Sequence, residues 1–167
     1  MSELTMIVLA RVVHITAGII WAGTAFVMAA IILPMMARHA SEGFARWAGP
    51  IAQRVGPMQG ISALLTVLSG GYLFAVLHAH DASTGGLVLK VGAVTALLAL
   101  LTGLFVIRPA SNKLAALGRS TGGTMQPDTE TQLAALRSRV ASSARIAALL
   151  LGVTVLSMAL FRYVGGL

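Results

Sequence analysis

The chain has 167 residues, of which 57% are hydrophobic and only 10% are charged. Soluble domains carry about 25% charged residues, so this composition, with a mean hydropathy of +0.87, excludes an ordinary soluble domain and indicates a membrane protein. The chain contains no cysteine, which excludes disulfides, thiolate metal sites and iron–sulfur clusters. The net charge of +7 is what basic loops beside membrane spans produce, and we expect no nucleic-acid partner.

Four apolar stretches are each long enough to cross a hydrocarbon core of about 30 Å, which takes about 20 helical residues. They lie near residues 6–36, 57–78, 87–107 and 144–164. We expect a single domain, residues 1–167, with an all-α fold: an integral membrane four-helix transmembrane bundle. The first stretch lacks the basic start of a signal peptide and contains Arg11 and His14, so we expect it to remain in the mature protein as the first span.

The basic residues are unevenly distributed between the two sides of the expected bundle. Arg11, Lys90 and Arg162 lie on one side, and all other Lys and Arg residues lie between spans one and two or between spans three and four. Because basic loops stay in the cytoplasm, we expect a bacterial inner-membrane protein with its N- and C-termini on the outer, periplasmic side.

The two basic segments also contain helical patterns. In the first, Phe44, Trp47 and Ile51 recur at helical spacing, which predicts a short amphipathic helix in the cytoplasmic loop, lying among the headgroups with Trp47 as its anchor. In the second, Thr129 with Gln132 is a candidate capping box, and one long helix would run from there into the fourth span.

One face of the first span carries the residues with the most chemistry. His14, Trp21, Met28 and Met35 follow one another at intervals of seven and share a helical stripe. A histidine inside a membrane span is a candidate functional residue by default, and a hydrogen bond in the bundle interior is the alternative for His14. For the methionines the alternative is packing.

Matching depth brings further polar residues to the level of His14. Arg38 marks the inner end of the first span, so His14, about 24 residues earlier, belongs near the outer interface. The other spans and the same helix contribute residues at this level: His78, Lys90, Arg162 and Arg11. Cations without matching carboxylates at this depth favour an anionic ligand, whereas snorkelling of the Lys and Arg side chains to lipid phosphates is the alternative.

Two cofactors suit this group of residues. A neutral imidazole is an axial ligand of haem iron, and the cations would then hold the haem propionates. Histidine and methionine also bind copper, and thioethers favour Cu(I), so Met28 and Met35 would continue a copper path inwards. The candidate metal ligands are His14 and His78, and the candidate cofactor-binding residues are His14, Trp21, His78, Lys90, Arg11 and Arg162.

The first span, RVVHITAGIIWAG followed by ILPMMARH, resembles the opening helix of small bacterial membrane proteins of the CopD and HemJ kind. Those families share an early histidine, a W-x-G or W-x-x-G step and a Leu-Pro near the inner end, and LVLKVG around Lys90 is similar to the start of a later span of theirs. The HemJ branch implies b-type haem at His14, a porphyrin carboxylate at Lys90 and protoporphyrinogen oxidase activity. The CopD branch implies copper uptake or resistance, with copper at His14 and the methionines.

The chain departs from the HemJ pattern in two places. Met35 and Met36 stand where that family has an arginine and aromatic residues, and the third span lacks a histidine further along. These departures bear on the oxidase activity more than on haem binding.

The leading expectation is an integral membrane protein that binds b-type haem or porphyrin near its outer face and has a redox or electron-transfer role. If the chain is an enzyme, we expect an oxidoreductase. The alternatives are a copper-binding or copper-transport protein and an accessory structural subunit of a larger membrane complex. The expected partners are the lipid bilayer, a redox partner, and further copies of the chain or other subunits.

Overall fold

The computed structural model describes residues 2–38, 44–120 and 127–164, and nearly all of them are helical. The elements are α1 (Glu3–Val27), a π-helical turn (Met28–Ile32), α2 (Leu33–Arg38), α3 (Phe44–Leu77), α4 (Thr84–Thr102), a second π-helical turn (Gly103–Ile107), α5 (Arg108–Ser120) and α6 (Pro127–Val164). Four stretches are long and apolar enough to cross a membrane: Glu3–Arg38, Arg54–Leu77, Thr84–Leu117 and Asp128–Val164. The expected all-α, four-span membrane bundle is confirmed, with spans one to four in this order.

Each π-helical turn ends two residues before a proline, Pro34 in span one and Pro109 in span three. Proline has no backbone N–H, and its ring clashes with the carbonyl four residues earlier. In span one the preceding turn is widened, so that the Leu33 N–H bonds to the Met28 carbonyl five residues back, and span three has the same arrangement. The widened turns let both spans continue past a proline without a break.

The spans pack as two antiparallel hairpins, one formed by spans one and two and the other by spans three and four. Small residues allow close approach within each hairpin: a Cβ built on Gly92 in α4 would lie 2.9 Å from the Cβ of Ser157 in α6. The hairpins meet in a core to which all four spans contribute, formed by Trp21, Ala22, Ala25, Ala63, Ala96, Ala99 and Leu151. We call the end of the bundle where α1 and α4 begin and α3 and α6 end the histidine end.

The two hairpins share a tetrapeptide at corresponding places. Thr-Val-Leu-Ser occurs at residues 66–69 in span two and at residues 154–157 in span four. Both threonines are buried, and each donates its hydroxyl to the carbonyl four residues earlier in its own helix. Thr66 lies beside Gly18 of span one, and Thr154 lies beside Thr95 of span three. Each hairpin therefore has a buried threonine facing its first helix.

Helix α3 extends further than the sequence predicts for span two. The amphipathic segment is helical, as expected, but it is continuous with the span: α3 runs unbroken from Phe44 to Leu77, with Pro50 and Pro57 inside it. A proline removes one intrahelical hydrogen bond, and here neither proline ends the helix. The role expected for Trp47 as an interfacial anchor concerns a side chain outside the described part of the structure.

Helix α6 confirms the expected long helix into span four. It has 38 residues, which corresponds to about 57 Å. It begins at Pro127, so Thr129 lies inside its first turn and the expected capping box at Thr129 is wrong. The hydrocarbon core takes up only about 30 Å, so a large part of α6 extends beyond it. This part packs on α5, with Ala110 and Leu133 buried.

Candidate functional site

His14 lies in α1 and is half-buried against span two. Its Nδ1 is 2.8 Å from the backbone carbonyl oxygen of Thr66 in α3. A carbonyl oxygen can only accept a hydrogen bond, so Nδ1 carries a proton and donates it. The neutral ring is then the Nδ1–H tautomer, in which Nε2 keeps its lone pair.

Gly70 provides the space that the imidazole occupies. It lies about one turn beyond Thr66 on α3, and a Cβ built on it would lie 2.6 Å from Cε1 and 2.9 Å from Nδ1 of His14. Cβ contacts essentially never fall below 3.0 Å, so the ring packs against bare backbone. One directed hydrogen bond and one steric surface, both from α3, hold the imidazole.

Trp21 shares the stripe of His14 but lies about two turns further into the bundle. It is only 7% exposed and belongs to the apolar core with Ala63 and Leu151. In the part of the chain that the structure describes, no ring–ring contact joins Trp21 to His14. The tryptophan thus packs in the core below the imidazole, and its expected role in cofactor binding stays a prediction.

A second group of polar residues, the loop cluster, joins the end of α3 to the start of α4. It consists of His78, Asp81, Ser83 and Lys90. The Lys90 ammonium donates a hydrogen bond of 3.0 Å to the backbone carbonyl of Asp81, and the Ser83 N–H donates one of 2.9 Å to the Asp81 carboxylate. The His78 ring meets the ring of Phe161 edge-on, with centroids 5.6 Å apart. Lys90 thus fastens the loop to span three.

Asp81 is the charged centre of the loop cluster. Hydrogen bonds from the Ser83 side chain and backbone lower the pKa of the Asp81 carboxyl, and the charges of His78 and Lys90 lower it further. The carboxylate therefore stays ionised at all but strongly acidic pH.

Arg11 and Arg162 are both exposed at the histidine end. This position fits the expected snorkelling to lipid phosphates and equally leaves both guanidinium groups free to meet an anionic ligand. The candidate residues therefore fall into three places: the imidazole between α1 and α3, the loop cluster, and two surface arginines. Within the described residues, no hydrogen bond joins His14 to the loop cluster.

A groove of about 320 Å³ opens between spans one and two near His14. Its lining is Met6, Leu9, Ala10, Val13, Leu68, Ser69 and Tyr72. The Ser69 hydroxyl lies 3.3 Å from the same Thr66 carbonyl that His14 contacts. One residue of the groove lining and the imidazole therefore contact the same carbonyl group.

The expected copper path would consist of the His14 imidazole and the thioethers of Met28 and Met35. In the described residues, no three His, Asp or Glu side chains converge on a position that a metal ion would occupy. Met28 is half-buried and lines a second groove of about 210 Å³, together with Ile51 and Val55 of α3. Met35 is 41% exposed.

Thr66 and Gly70 are the residues that sequence reasoning missed. The partner of His14 was not recognisable in the sequence, because it is a backbone carbonyl, which every residue has. The expected depth pointed elsewhere: it placed His14 level with His78, about two turns from Gly70, whereas the structure places the imidazole beside Gly70. A glycine in a span is ordinarily explained by helix packing, which hid its relation to the imidazole.

The chain matches no protein-family model, no curated protein and no solved structure.

Proposed function

We propose that the chain binds a b-type haem through Nε2 of His14 and acts in electron transfer at the outer face of a bacterial inner membrane. The hydrogen bond from His14 Nδ1 to the Thr66 carbonyl carries this proposal. Histidines that bind a metal almost always donate their other ring N–H to a carbonyl, carboxylate or water, which sets the tautomer and the ring orientation.

The His14 imidazole is a donor that would suit haem iron. A neutral imidazole with Nδ1 protonated has one lone pair left, on Nε2, and no described residue hydrogen-bonds to that atom. Haem iron takes such an imidazole as its proximal ligand. Bound there, the haem would supply one-electron chemistry between ferric and ferrous iron.

Two arginines are available for the propionates. Arg11 and Arg162 are exposed at the histidine end, whereas Lys90 already donates to the Asp81 carbonyl. We therefore propose the arginines for this role, and a structural role for Lys90 in the loop. His78, which packs against Phe161, is not required as a ligand in this proposal.

The optical spectrum of the purified protein tests the proposal. We expect a Soret band and an α band in the reduced-minus-oxidised spectrum of detergent-extracted protein, both lost in His14→Ala. His80→Ala is the matched control, because His80 is an exposed histidine of the loop and its removal should leave the bands unchanged. Pure wild-type protein without these bands would contradict haem binding.

The same preparation separates the alternatives. Copper found by elemental analysis, without haem bands, would favour the copper-binding function, and co-purifying subunits without any cofactor would favour an accessory role in a complex. Oxidation of protoporphyrinogen by the haem-loaded protein would identify an oxidoreductase.

Charge supports the proposed orientation. The exposed Arg54, Arg108, Lys113, Arg137, Arg139 and Arg145 all lie away from the histidine end, and basic residues remain on the cytoplasmic side. Fusion of alkaline phosphatase to the C-terminus should give an active enzyme, because that enzyme folds only outside the cytoplasm. An inactive phosphatase with a fluorescent cytoplasmic reporter at the same position would reverse the orientation.

A further inference from the structure

The imidazole of His14 and the backbone at Gly70 lie closer than any side chain at position 70 allows. A Cβ on Gly70 would come within 2.6 Å of Cε1, 2.9 Å of Nδ1 and 3.6 Å of Nε2, so that the ring is the nearest group around it. Its three nearest neighbours all belong to the histidine. Gly70 is therefore matched to one side chain rather than to a helix surface in general.

Other glycines of span two differ from Gly70 in this respect. Beyond the nearby backbone of α3 itself, no atom of the described residues lies within 4 Å of a Cβ built on Gly56, Gly60 or Gly71. They would accept a methyl group without a clash, although all lie in the same helix. A general need for close helix approach would crowd the other glycines as well. The position of the imidazole explains why Gly70 differs from them.

We infer that Gly70 is a positioning residue that, together with the Thr66 carbonyl, locks His14 in the Nδ1–H tautomer and directs its Nε2 lone pair away from α3. The Thr66 carbonyl selects which ring nitrogen is protonated, because Nδ1 is the nitrogen that lies within hydrogen-bond distance of it, at 2.8 Å. The bare Cα of Gly70 lets the ring approach closely enough to make that bond. We call this fixed tautomer and orientation of His14 the lock. It is a property of the chain itself, and its use for metal binding rests on the proposed function.

A methyl group at position 70 would break the lock. The ring is held at this distance by its hydrogen bond to the Thr66 carbonyl, so to admit a methyl group the ring must rotate away from that carbonyl or the helices must separate. Either movement lengthens the bond to Thr66. The ring then loses its preference for the Nδ1–H tautomer, since the Nε2–H tautomer is the commoner one for a free imidazole.

Nitrogen NMR of the histidine rings in detergent-solubilised, histidine-labelled protein tests this inference directly. The wild type should show one ring with a protonated, slowly exchanging Nδ1, assigned to His14 by its absence from His14→Gln. Gly70→Ala should lose that signal, and Gly71→Ala, the neighbouring glycine with open space around it, should keep it. A Gly70→Ala protein with the wild-type signal would overturn the inference.

A thermal-unfolding cycle covers the case in which Gly70→Ala does not fold. Alanine is the better helix former, so Gly71→Ala should leave the Tm unchanged or raise it, and Gly70→Ala should lower it by several degrees. In the His14→Ala background the same Gly70→Ala change should no longer lower the Tm, because the clash has gone. An equal loss in both backgrounds, or a double variant that fails to fold, would show that Gly70 serves helix packing and would overturn the inference.

The two proposals fail in different ways. A wild-type protein without haem bands but with the NMR signature and the cycle as expected would refute haem binding and leave the lock intact. A haem-loaded Gly70→Ala protein with unchanged bands and an unchanged ring signal would refute the lock and leave haem binding intact.

Discussion

The hydroxyl groups of Thr95 and Thr154 lie 2.9 Å apart and form a hydrogen bond between α4 and α6. Thr154 is buried, with 6% of its surface exposed, and its hydroxyl also lies 3.0 Å from the Leu150 carbonyl of its own helix. The second hairpin is thus joined by a side-chain hydrogen bond, whereas the first is joined by the bond from an imidazole to a backbone carbonyl. The two bonds have different functional value, because only the imidazole has a lone pair suited to a metal.

Removing the hydroxyl from Thr154 should weaken the second hairpin. Interhelical hydrogen bonds in membranes average about 0.6 kcal/mol and reach about 1–2 kcal/mol, so we expect Thr154→Val to lower the free energy of unfolding by about 1 kcal/mol. Thr102→Val is the control, since the Thr102 hydroxyl donates only to the Leu98 carbonyl of its own helix. Unfolding of the detergent-solubilised protein by SDS, followed by circular dichroism, measures both. Equal losses in the two variants would contradict an interhelical contribution.

Gly85 should be intolerant of a side chain. A Cβ at this position would lie 2.5 Å from the backbone carbonyl oxygen of Phe161, and backbone cannot move aside cheaply. We expect Gly85→Ala to cost about 1–3 kcal/mol, the usual cost of overpacking. Gly60→Ala meets nothing within 4 Å and should instead stabilise span two by up to about 1 kcal/mol through helix propensity. The same SDS titration should therefore show a lower free energy of unfolding for Gly85→Ala and a higher one for Gly60→Ala. Changes in the same direction would count against the close approach of α4 and α6.

Trp21 should contribute to stability through packing. It is 7% exposed in the core, and truncation of a buried tryptophan to alanine costs about 3–5 kcal/mol in soluble cores. We therefore expect Trp21→Ala to lower the free energy of unfolding by a similar amount. Tyr163→Ala, at an aromatic residue that is 72% exposed, should change stability by less than about 0.5 kcal/mol. A small loss for Trp21→Ala with full loss of a cofactor spectrum would indicate a direct role at the site.

The loop cluster predicts a dependence of stability on acidic pH. The pKa of Asp81 is lowered from 3.8 by the hydrogen bonds from Ser83, so its contribution is fully present above pH 3.8 and is lost as the pH falls through the lower pKa of the folded state. We expect Asp81→Asn to reduce the Tm near neutral pH by an amount that shrinks below pH 3.8. Thermal unfolding across this range measures it. A Tm difference that grows with acidity would contradict the assigned direction.

Much of the fold was predictable because span length and hydrophobicity are local properties. Four spans followed from runs of apolar residues, and the long α6 followed from a helical pattern that continues into span four. The continuity of α3 through Pro50 and Pro57 was not predictable in the same way. Proline in a sequence favours a helix start or a break, and whether the helix continues depends on the groups that surround it.

For the site, the sequence determined that a histidine lies inside an apolar span, because this depends only on its position along a helix. Which cations share its depth stays a prediction. Only the tertiary structure decided that His14 meets Thr66 and Gly70, that Lys90 is bound to the loop at Asp81, and that Trp21 belongs to the core. The physical reason is that the rotation of each helix about its own axis is set by packing against its neighbours. Moreover, the group that orients the imidazole is a backbone carbonyl, which has no signature in the sequence.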